Sequence, residues 1–178
     1  MSHWLDDVMH TPSPNFDSRS DDNDVSLLVI HNISLPPGVF TGDDVEAFFL
    51  NKLDHSKDAF YQEIRDLKVS SHLFIRRNGD AQQFVDLDDR AWHAGQSAWQ
   101  GKERCNDFSI GIELEGTDDQ TFTDMQYDTL IKLTKIIQRD YPLITIDRIV
   151  GHSDIAPERK TDPGPHFDWT RYRQGLSQ

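Results

Sequence analysis

The sequence predicts a single α/β domain built on a mixed central β-sheet flanked by helices. Its 178 residues correspond to about one domain. Short apolar runs alternate with segments of helical periodicity, which is typical of one sheet covered by helices. A hairpin pattern lies inside that alternation, so we expect antiparallel as well as parallel strand pairing.

The strands are predicted from short runs rich in apolar and β-branched residues. These runs are residues 26–31, 69–76, 82–85, 109–115 and 148–150. Asn78-Gly79, between the second and third runs, is a type I′ turn signal that indicates a hairpin. In the fourth run, alternation places Gly111, Glu113 and Glu115 on the face opposite three aliphatic side chains. Two acidic residues on one face of a strand in the middle of the chain require an explanation.

The helices are predicted from apolar spacing and capping signals. The first begins at Thr41, and its apolar face consists of Val45, Phe48, Phe49 and Leu53. The second begins with a capping box from Thr123 to Gln126 and ends before Pro142. A short terminal helix begins at Asp168.

The ends and cysteine content of the chain bear on its organisation and location. Residues 1–24 are rich in Pro, Ser and Asp, and we interpret them as an arm lying over a domain at residues 25–178. The N-terminus lacks the basic and apolar segments of a secretion signal, and no run approaches the ~20 apolar residues of a membrane helix. We therefore expect a cytoplasmic location. The single cysteine, Cys105, excludes an intramolecular disulfide.

The charge balance excludes several classes of partner. The chain has 18 Lys and Arg against 31 Asp and Glu, which gives a net charge of −13. Non-specific binding of nucleic acid or of anionic lipid requires a surplus of cations at the contact. We therefore expect no nucleic-acid partner and no membrane partner. We also expect a monomer that binds a small substrate.

Three polar side chains that could hold a metal follow the predicted strands. His31 ends an apolar strand, His152 follows another strand and a glycine, and Asp162 lies in the loop that follows. Loops at the ends of strands are where α/β sheets assemble sites. Two imidazoles and one carboxylate, with a fourth position left for water, are typical of a catalytic zinc ion. The spacing alone is not specific, and the alternative is a core histidine and a loop hydrogen-bond donor.

Two further residues fit the chemistry of a hydrolase. A zinc hydrolase needs a base to accept a proton from water, and Glu113, fixed on a strand, suits that role. Lys160 lies two residues before Asp162 and could stabilise an oxyanion. The alternatives are a solvated strand face for Glu113 and an ordinary surface lysine beside Arg159.

Four segments of the chain resemble the zinc-dependent N-acetylmuramoyl-L-alanine amidases, a family that includes peptidoglycan-recognition proteins and a phage amidase-lysozyme. The segments are SLLVIHNISLPPG, RAWHAG, ERCNDFSIGIELEGTD and GHSDIAPERKTDPGP. The resemblance extends from about Pro12 to Trp169 and is greatest to the cytoplasmic members that act on 1,6-anhydro-muropeptides. It implies the peptidoglycan-recognition type of zinc amidase fold, with the catalytic domain at residues 25–178.

The resemblance also implies a reaction and a set of roles. His31, His152 and Asp162 match the family's ligands for one Zn²⁺ ion, and the phage-type members have a cysteine at the position of Asp162. Glu113 matches the carboxylate that activates water, and Lys160 matches the lysine that stabilises the transition state. The implied reaction is hydrolysis of the amide between the lactyl group of (1,6-anhydro-)N-acetylmuramic acid and L-alanine, in the recycling of small muropeptides.

The expected substrate contacts are Asn32, Trp92 and Arg104. Arg104 matches an arginine that meets a stem-peptide carboxylate in the family, where a guanidinium can form two parallel hydrogen bonds. Asn32 is interpreted as a contact to the substrate amide or as a strand-end cap. Trp92 is interpreted either as a stacking surface for sugar or stem, or as core packing. His93 is assigned no role.

Three other functions remain open from the sequence. The first is a module that binds muropeptides without cleaving them, which would be signalled by loss of a ligand or of Glu113. The second is an amidase acting on polymeric wall outside the cell. The third is a purely structural metal, for which four protein ligands are expected.

Overall fold

The computed structural model describes residues 3–20 and 25–178. The strands of the main sheet are β1 (Met9–His10), β3 (Leu27–Ile33), β4 (Leu73–Ile75), β5 (Ala81–Gln83), β9 (Ser109–Glu115) and β10 (Ile149–Gly151). The smaller strands are β2 (Phe16–Ser18), β6 (Asp89–Ala91), β7 (Ala98–Trp99) and β8 (Lys102–Glu103). The helices are α1 (Asp44–Phe49), α2 (Ala59–Glu63), α3 (Asp124–Asp140), α4 (His152–Ile155) and α5 (Trp169–Leu176).

The main sheet is mixed, as predicted. Its strand order is β1-β5-β4-β9-β3-β10. The β4–β5 hairpin is antiparallel, and every other neighbouring pair is parallel. The α/β class and the mixed sheet are therefore confirmed, and they follow from a hairpin inserted between crossover connections.

Helices α3 and α5 cover one face of this sheet. Thr123 and Gln126 form the predicted capping box at the start of α3. Aliphatic side chains from β3, β4 and β9 pack against this helix; the core includes Leu28, Ile30, Leu73, Ile75, Ile110, Ile112, Leu114, Leu130, Leu133 and Ile137. Tyr172 of α5 is fully buried in the same cluster and bonds to Thr134 at 2.7 Å between hydroxyl oxygens. This layer makes the sheet a rigid support for its opposite face.

Two local predictions were wrong. The first helix begins at Asp44 rather than at Thr41, and it ends at Phe49, so it does not include Leu53. The chain leaves this helix through Asn51, which has φ 58°. Leu53 is still buried, so its apolar character reflects tertiary packing rather than helix periodicity.

In the hairpin the N–H of Gly79 donates to the carbonyl oxygen of Arg76 at 2.9 Å. Of the Asn78-Gly79 pair only Gly79 has positive φ, at 85°, which indicates a three-residue loop instead of a type I′ turn.

The described part of the N-terminal segment is tied into the fold. β1 pairs in parallel with β5 at the edge of the main sheet, and β2 pairs with β6. The buried guanidinium of Arg19 donates to the carbonyl oxygens of Leu87, Asn106 and Ser109. The predicted boundary between residues 24 and 25 lies outside the described residues. Among the residues that are described, no helix is long and apolar enough to cross a membrane.

The other face of the sheet positions the polar residues of interest. Strands β4, β9, β3 and β10 are parallel, so their carboxyl ends meet at one edge. His31 of β3 is the register partner of Glu113 on β9, so the two side chains lie on the same face. His152 directly follows β10 and begins α4. This arrangement places a site outside the carboxyl ends of the strands, where α/β sheets form them.

Candidate active site

A cleft of about 570 Å³ opens at this edge of the sheet. One side of the cleft is polar and includes Asn32, Glu113, His152, Lys160 and Asp162. The other side is apolar and comes from α1, α2 and the segments beside them; it includes Leu35, Phe48, Phe49, Phe60, Ile64 and Leu67. A ligand with one polar and one apolar part would fit these two walls.

His31, His152 and Asp162 converge on one point beside the cleft. The Nδ1 atoms of His31 and His152 are 3.0 Å apart, and each is 3.1 Å from Oδ2 of Asp162. Both imidazoles are buried, and the carboxylate is half-buried. In the described part of the chain these three side chains form a group able to hold a metal ion.

The donor set fits a divalent metal. Nε2 of His152 lies 3.1 Å from the carbonyl oxygen of Ala94, which can only accept, so Nδ1 of His152 directs its lone pair at the carboxylate. Two electron-pair donors 3.1 Å apart repel each other unless a proton or a cation lies between them. Donors held at ~2.0–2.1 Å around a tetrahedral zinc ion lie roughly 3.3 Å apart, close to the separations observed.

The electrostatics of the cluster favour its metal-binding protonation state. Burial lowers the pKa of His31 to about 4, so its imidazole is neutral at neutral pH. Burial alone would raise the pKa of Asp162, but the adjacent imidazole rings of His152 and His31 hold it well below its ordinary value. A neutral imidazole and an ionised carboxylate are the forms that ligate metals.

Glu113 is a buried carboxyl group without a hydrogen bond at one oxygen. It is 9% exposed, and its Oε2 has no partner among the described residues. Its pKa is raised well above the ordinary value, first by burial and then by the negative charge of Asp162, while Lys160 opposes the rise. A carboxyl group whose pKa is raised by burial is suited to accept and return a proton.

Lys160 lies on the loop between α4 and Asp162. Its backbone N–H donates to the carbonyl oxygen of Ala156 at 2.9 Å, which continues the turn after α4. Its side chain is half-buried and lines the cleft. Its positive charge lowers the pKa of Glu113 and contributes to the lowered pKa of His31, so the ammonium group acts on both sides of the site.

The expected substrate contacts are not all in this cleft. Asn32 lines it, and its side-chain amide donates to Asp118 at 2.7 Å. Trp92 is absent from the lining, and its backbone N–H donates to the hydroxyl of Ser70. Arg104 also lies outside this lining and lines a neighbouring cleft of about 430 Å³. Its side chain is 72% exposed and pairs with Asp107 at 3.1 Å.

The structure adds residues that sequence reasoning missed. His93 is buried, and its Nδ1 lies 2.9 Å from Nε2 of His31. Arg159 donates to the carbonyl oxygens of Ala94 and Gln96, each at 2.7 Å, and so ties the loop after His93 to the loop that carries Lys160. The sequence contains no signal for either residue, because both sets of contacts join segments that only the tertiary fold brings together.

Comparison with known proteins assigns the family. A family described as N-acetylmuramoyl-L-alanine amidase matches residues 21–165. The chain belongs to this family. The match covers β3, β9, β10 and the loop that contains Asp162, and therefore all the side chains that converge at the cleft.

Three similar proteins locate the chain within the N-acetylmuramoyl-L-alanine amidase family. The 1,6-anhydro-N-acetylmuramyl-L-alanine amidase AmpD of Enterobacter cloacae is 54% identical over 174 residues, which cover 98% of this chain and 92% of that protein. The crystal structure of an Se-Met AmpD derivative has a TM-score of 0.94 and 52% identity, and the match covers 97% of this chain and 96% of that one. A complex of AmiD from Escherichia coli with anhydro-N-acetylmuramic acid-L-Ala-D-gamma-Glu-L-Lys has a TM-score of 0.65 and 35% identity, over 89% of this chain and 60% of that one.

Proposed function

We propose that this protein is a zinc-dependent amidase acting in peptidoglycan recycling. It hydrolyses the amide bond between the lactyl group of 1,6-anhydro-N-acetylmuramic acid and the L-alanine of the stem peptide. The observation that carries this proposal is the convergence of two imidazoles and a carboxylate next to Glu113, in a chain 54% identical to a named AmpD.

The cleft supports a muropeptide as the substrate. A muropeptide combines a polar peptide with a sugar that presents both hydroxyl groups and apolar ring faces. The cleft has the matching polar and apolar walls. The related AmiD is described in complex with an anhydro-muropeptide substrate, which agrees with this assignment.

His31, His152 and Asp162 would hold the zinc ion. When bound, zinc polarises a carbonyl group and lowers the pKa of a water molecule that it holds. The protein's part is to keep three ligand atoms within 3.0–3.1 Å of one another and to leave the cleft side accessible to substrate.

Glu113 would move the proton. Its carboxylate accepts a proton from the attacking water as the oxygen–carbon bond forms, and it then delivers that proton to the amide nitrogen as the carbon–nitrogen bond breaks. Its raised pKa makes this carboxylate a stronger proton acceptor than an ordinary glutamate. The products are an anhydro-sugar carrying a free lactyl carboxylate and a peptide with a free amino terminus.

Lys160 and Asn32 would act on the substrate carbonyl and amide. The ammonium group of Lys160 stabilises the negative charge that develops on the carbonyl oxygen in the tetrahedral intermediate. Asn32 lies at the end of β3, one residue after His31, and contacts the substrate amide. Both residues line the cleft.

Arg104 and Trp92 would act farther from the reacting bond. Arg104 would bind a stem-peptide carboxylate from the neighbouring cleft, because it lies outside the lining of the main cleft. Trp92 would contribute to a wall for sugar or stem, because the next residue, His93, lines the main cleft.

Mass spectrometry of the products tests the function. Wild-type protein loaded with zinc should cleave an anhydro-muropeptide at the lactyl–alanine bond, whereas Glu113→Gln should bind zinc but cleave this bond much more slowly. If the substrate is recovered uncleaved after incubation with the zinc-loaded wild type, the proposal is refuted. That result would favour a module that binds muropeptides without cleaving them.

The proposed setting is the cytoplasm, with the protein acting as a monomer on small soluble muropeptides. Comparing soluble muropeptides with intact cell-wall sacculi tests this preference. Faster release of peptide from sacculi than from soluble muropeptides would contradict it, and sedimentation or light scattering would report the oligomeric state.

A further inference from the structure

We propose that His93 and Ala94 form the outer shell of the metal centre, with His93 as the positioning residue of the ligand His31. In this arrangement His93 accepts the proton on the distal nitrogen of His31, and the carbonyl oxygen of Ala94 accepts the proton on the distal nitrogen of His152. The inference rests on the proposed function, because it takes His31 and His152 to be ligands.

The contact between His93 and His31 is a hydrogen bond between two buried rings. Nδ1 of His93 and Nε2 of His31 are 2.9 Å apart, and the ring planes are nearly perpendicular, at 85°. A neutral imidazole has one donor nitrogen and one acceptor nitrogen. If Nδ1 of His31 is used for the metal, its Nε2 carries the proton, and Nδ1 of His93 must be the acceptor.

The other side of the His93 ring is fixed by β9. Nε2 of His93 lies 3.1 Å from the hydroxyl oxygen of Ser109, which accepts its proton. Gly111 makes room for the ring, since a Cβ atom at that position would lie 2.5 Å from Cγ of His93. One face of β9 carries Ser109, Gly111 and Glu113. The same strand therefore supplies the hydroxyl group that contacts His93, the glycine that leaves room for its ring, and the proposed base.

One side chain, Asn106, binds both backbone N–H groups of residues 93 and 94. Oδ1 of Asn106 accepts the N–H of His93 at 3.2 Å and the N–H of Ala94 at 2.8 Å. The carbonyl oxygen of Ala94 lies 3.1 Å from Nε2 of His152 and also accepts from Arg159. Two consecutive residues therefore contact the distal nitrogens of both histidine ligands, one through a side chain and one through the main chain.

This outer shell has a definite chemical consequence. Fixing the protons on both distal nitrogens leaves the Nδ1 lone pairs of His31 and His152 directed at the metal. Hydrogen bonds from ligand histidines to outer partners typically raise metal affinity about 10- to 100-fold. The affinity of the centre for zinc should therefore depend on His93, although His93 does not touch the metal.

The first test reads the protons directly on the zinc-loaded wild-type protein. Nitrogen-15 NMR of the histidine rings distinguishes a protonated ring nitrogen from an unprotonated one. We expect His31, His93 and His152 each to carry the proton on Nε2. A proton on Nδ1 of His93 would overturn the inference, because that nitrogen could not then accept from His31.

The second test measures zinc affinity by competition with a chelator. His93→Phe keeps the ring volume but removes the acceptor, and we expect zinc to bind about 10- to 100-fold more weakly. Gly111→Ala leaves the imidazole intact but displaces it, and should weaken binding in the same direction. His93→Gln retains an acceptor and should recover part of the loss.

The control separates this inference from the proposed function. His55→Phe removes an imidazole that contacts the carbonyl oxygen of Tyr61, away from the cluster, and should leave zinc affinity unchanged. Zinc affinity of folded His93→Phe within about threefold of the wild type would refute the positioning role alone. Failure of the wild type to bind one zinc ion would refute the proposed metal centre itself. If His93→Phe does not fold, the NMR measurement on the wild type still decides.

Discussion

Glu113 and His31 are neighbours in the β3–β9 register, on the face of the sheet that borders the cleft. The proposed base and a proposed metal ligand are therefore held at fixed separation by backbone hydrogen bonds between two central strands. A loop would allow either side chain to drift, whereas this pairing keeps the carboxyl group in place. The relative position of these two side chains is therefore set by the pairing of β3 with β9.

The first prediction concerns catalysis by Glu113. Glu113→Gln keeps the size of the side chain but removes the proton acceptor, so the rate of muropeptide hydrolysis should fall about 10²- to 10⁴-fold. Zinc content, measured by elemental analysis, should stay at the wild-type level because Glu113 is not among the three converging ligand atoms. An unchanged rate in the variant would contradict the proposed role.

The second prediction concerns the stability of the metal-free protein. The pKa of Glu113 in the folded state is raised above 4.5, so the folded state holds this proton more tightly than the unfolded chain does. The resulting stabilisation is present at low pH and is lost as the pH rises through the folded-state pKa. Above it, the folded protein carries a buried carboxylate with an unpaired oxygen.

Glu113→Gln should therefore stabilise the metal-free protein at about pH 8, by roughly 1–3 kcal/mol. The gain should disappear below about pH 4, where the wild-type carboxyl group is protonated in both states. Urea unfolding in the presence of a chelator measures this difference, and Glu63→Gln on the exposed side of α2 is the control. A destabilised Glu113→Gln variant at high pH would show that the carboxylate is paired.

The third prediction concerns Asp162 as a ligand. Asp162→Asn removes the anionic donor and should weaken zinc binding by more than about 100-fold, whereas Asp162→Cys supplies a thiolate and should retain zinc. Equilibrium dialysis against zinc measures both. His166→Ala, at an exposed residue of the same loop, is the matched control. Equal zinc binding by the asparagine variant and the wild type would remove Asp162 from the ligand set.

The fourth prediction concerns Lys160. Lys160→Gln should lower kcat about 10²- to 10³-fold with little change in KM, because the ammonium group acts on charge that develops only in the transition state. Lys135→Gln, on the exposed side of α3, should behave as the wild type. An effect confined to KM would instead assign Lys160 to substrate binding.

The fifth prediction concerns Arg104. Because this residue lies in the neighbouring cleft, it can reach only a substrate with a stem that extends that far. Arg104→Gln should raise KM for substrates with a stem of several residues and leave unchanged the KM for a substrate with L-alanine alone. Steady-state kinetics on the two substrates test this. An equal rise for both would place Arg104 at the reacting bond.

Parts of this structure with a strong local signal were predictable from sequence. Strand 109–115 has clear alternation, and its structural bounds, Ser109–Glu115, agree with the prediction. The capping box at Thr123 is a contact between residues three apart, so local sequence encodes it fully. Asn78-Gly79 and the first helix were misjudged because turn geometry and helix ends depend on the packing of the surrounding residues.

The site was partly predictable for a related reason. Strand-end histidines and their loop aspartate can be found in sequence because secondary structure places them at one edge of the sheet. The separation of Arg104 from the main cleft cannot be found in the sequence, since it depends on how the segment with β7 and β8 folds next to α4. The contact between His93 and His31 likewise joins positions 62 residues apart, and local sequence contains no signal for it.

The anchoring of Arg19 has a practical consequence for handling the protein. This cation binds the carbonyl oxygen of Ser109, and the hydroxyl group of Ser109 contacts His93. The amino-terminal segment is therefore connected to the histidine cluster through Ser109. Trimming the first twenty residues would leave three buried carbonyl oxygens without their donor. Purification tags and fusion partners are therefore better attached after the exposed Gln178, where they leave the contacts of Arg19 undisturbed.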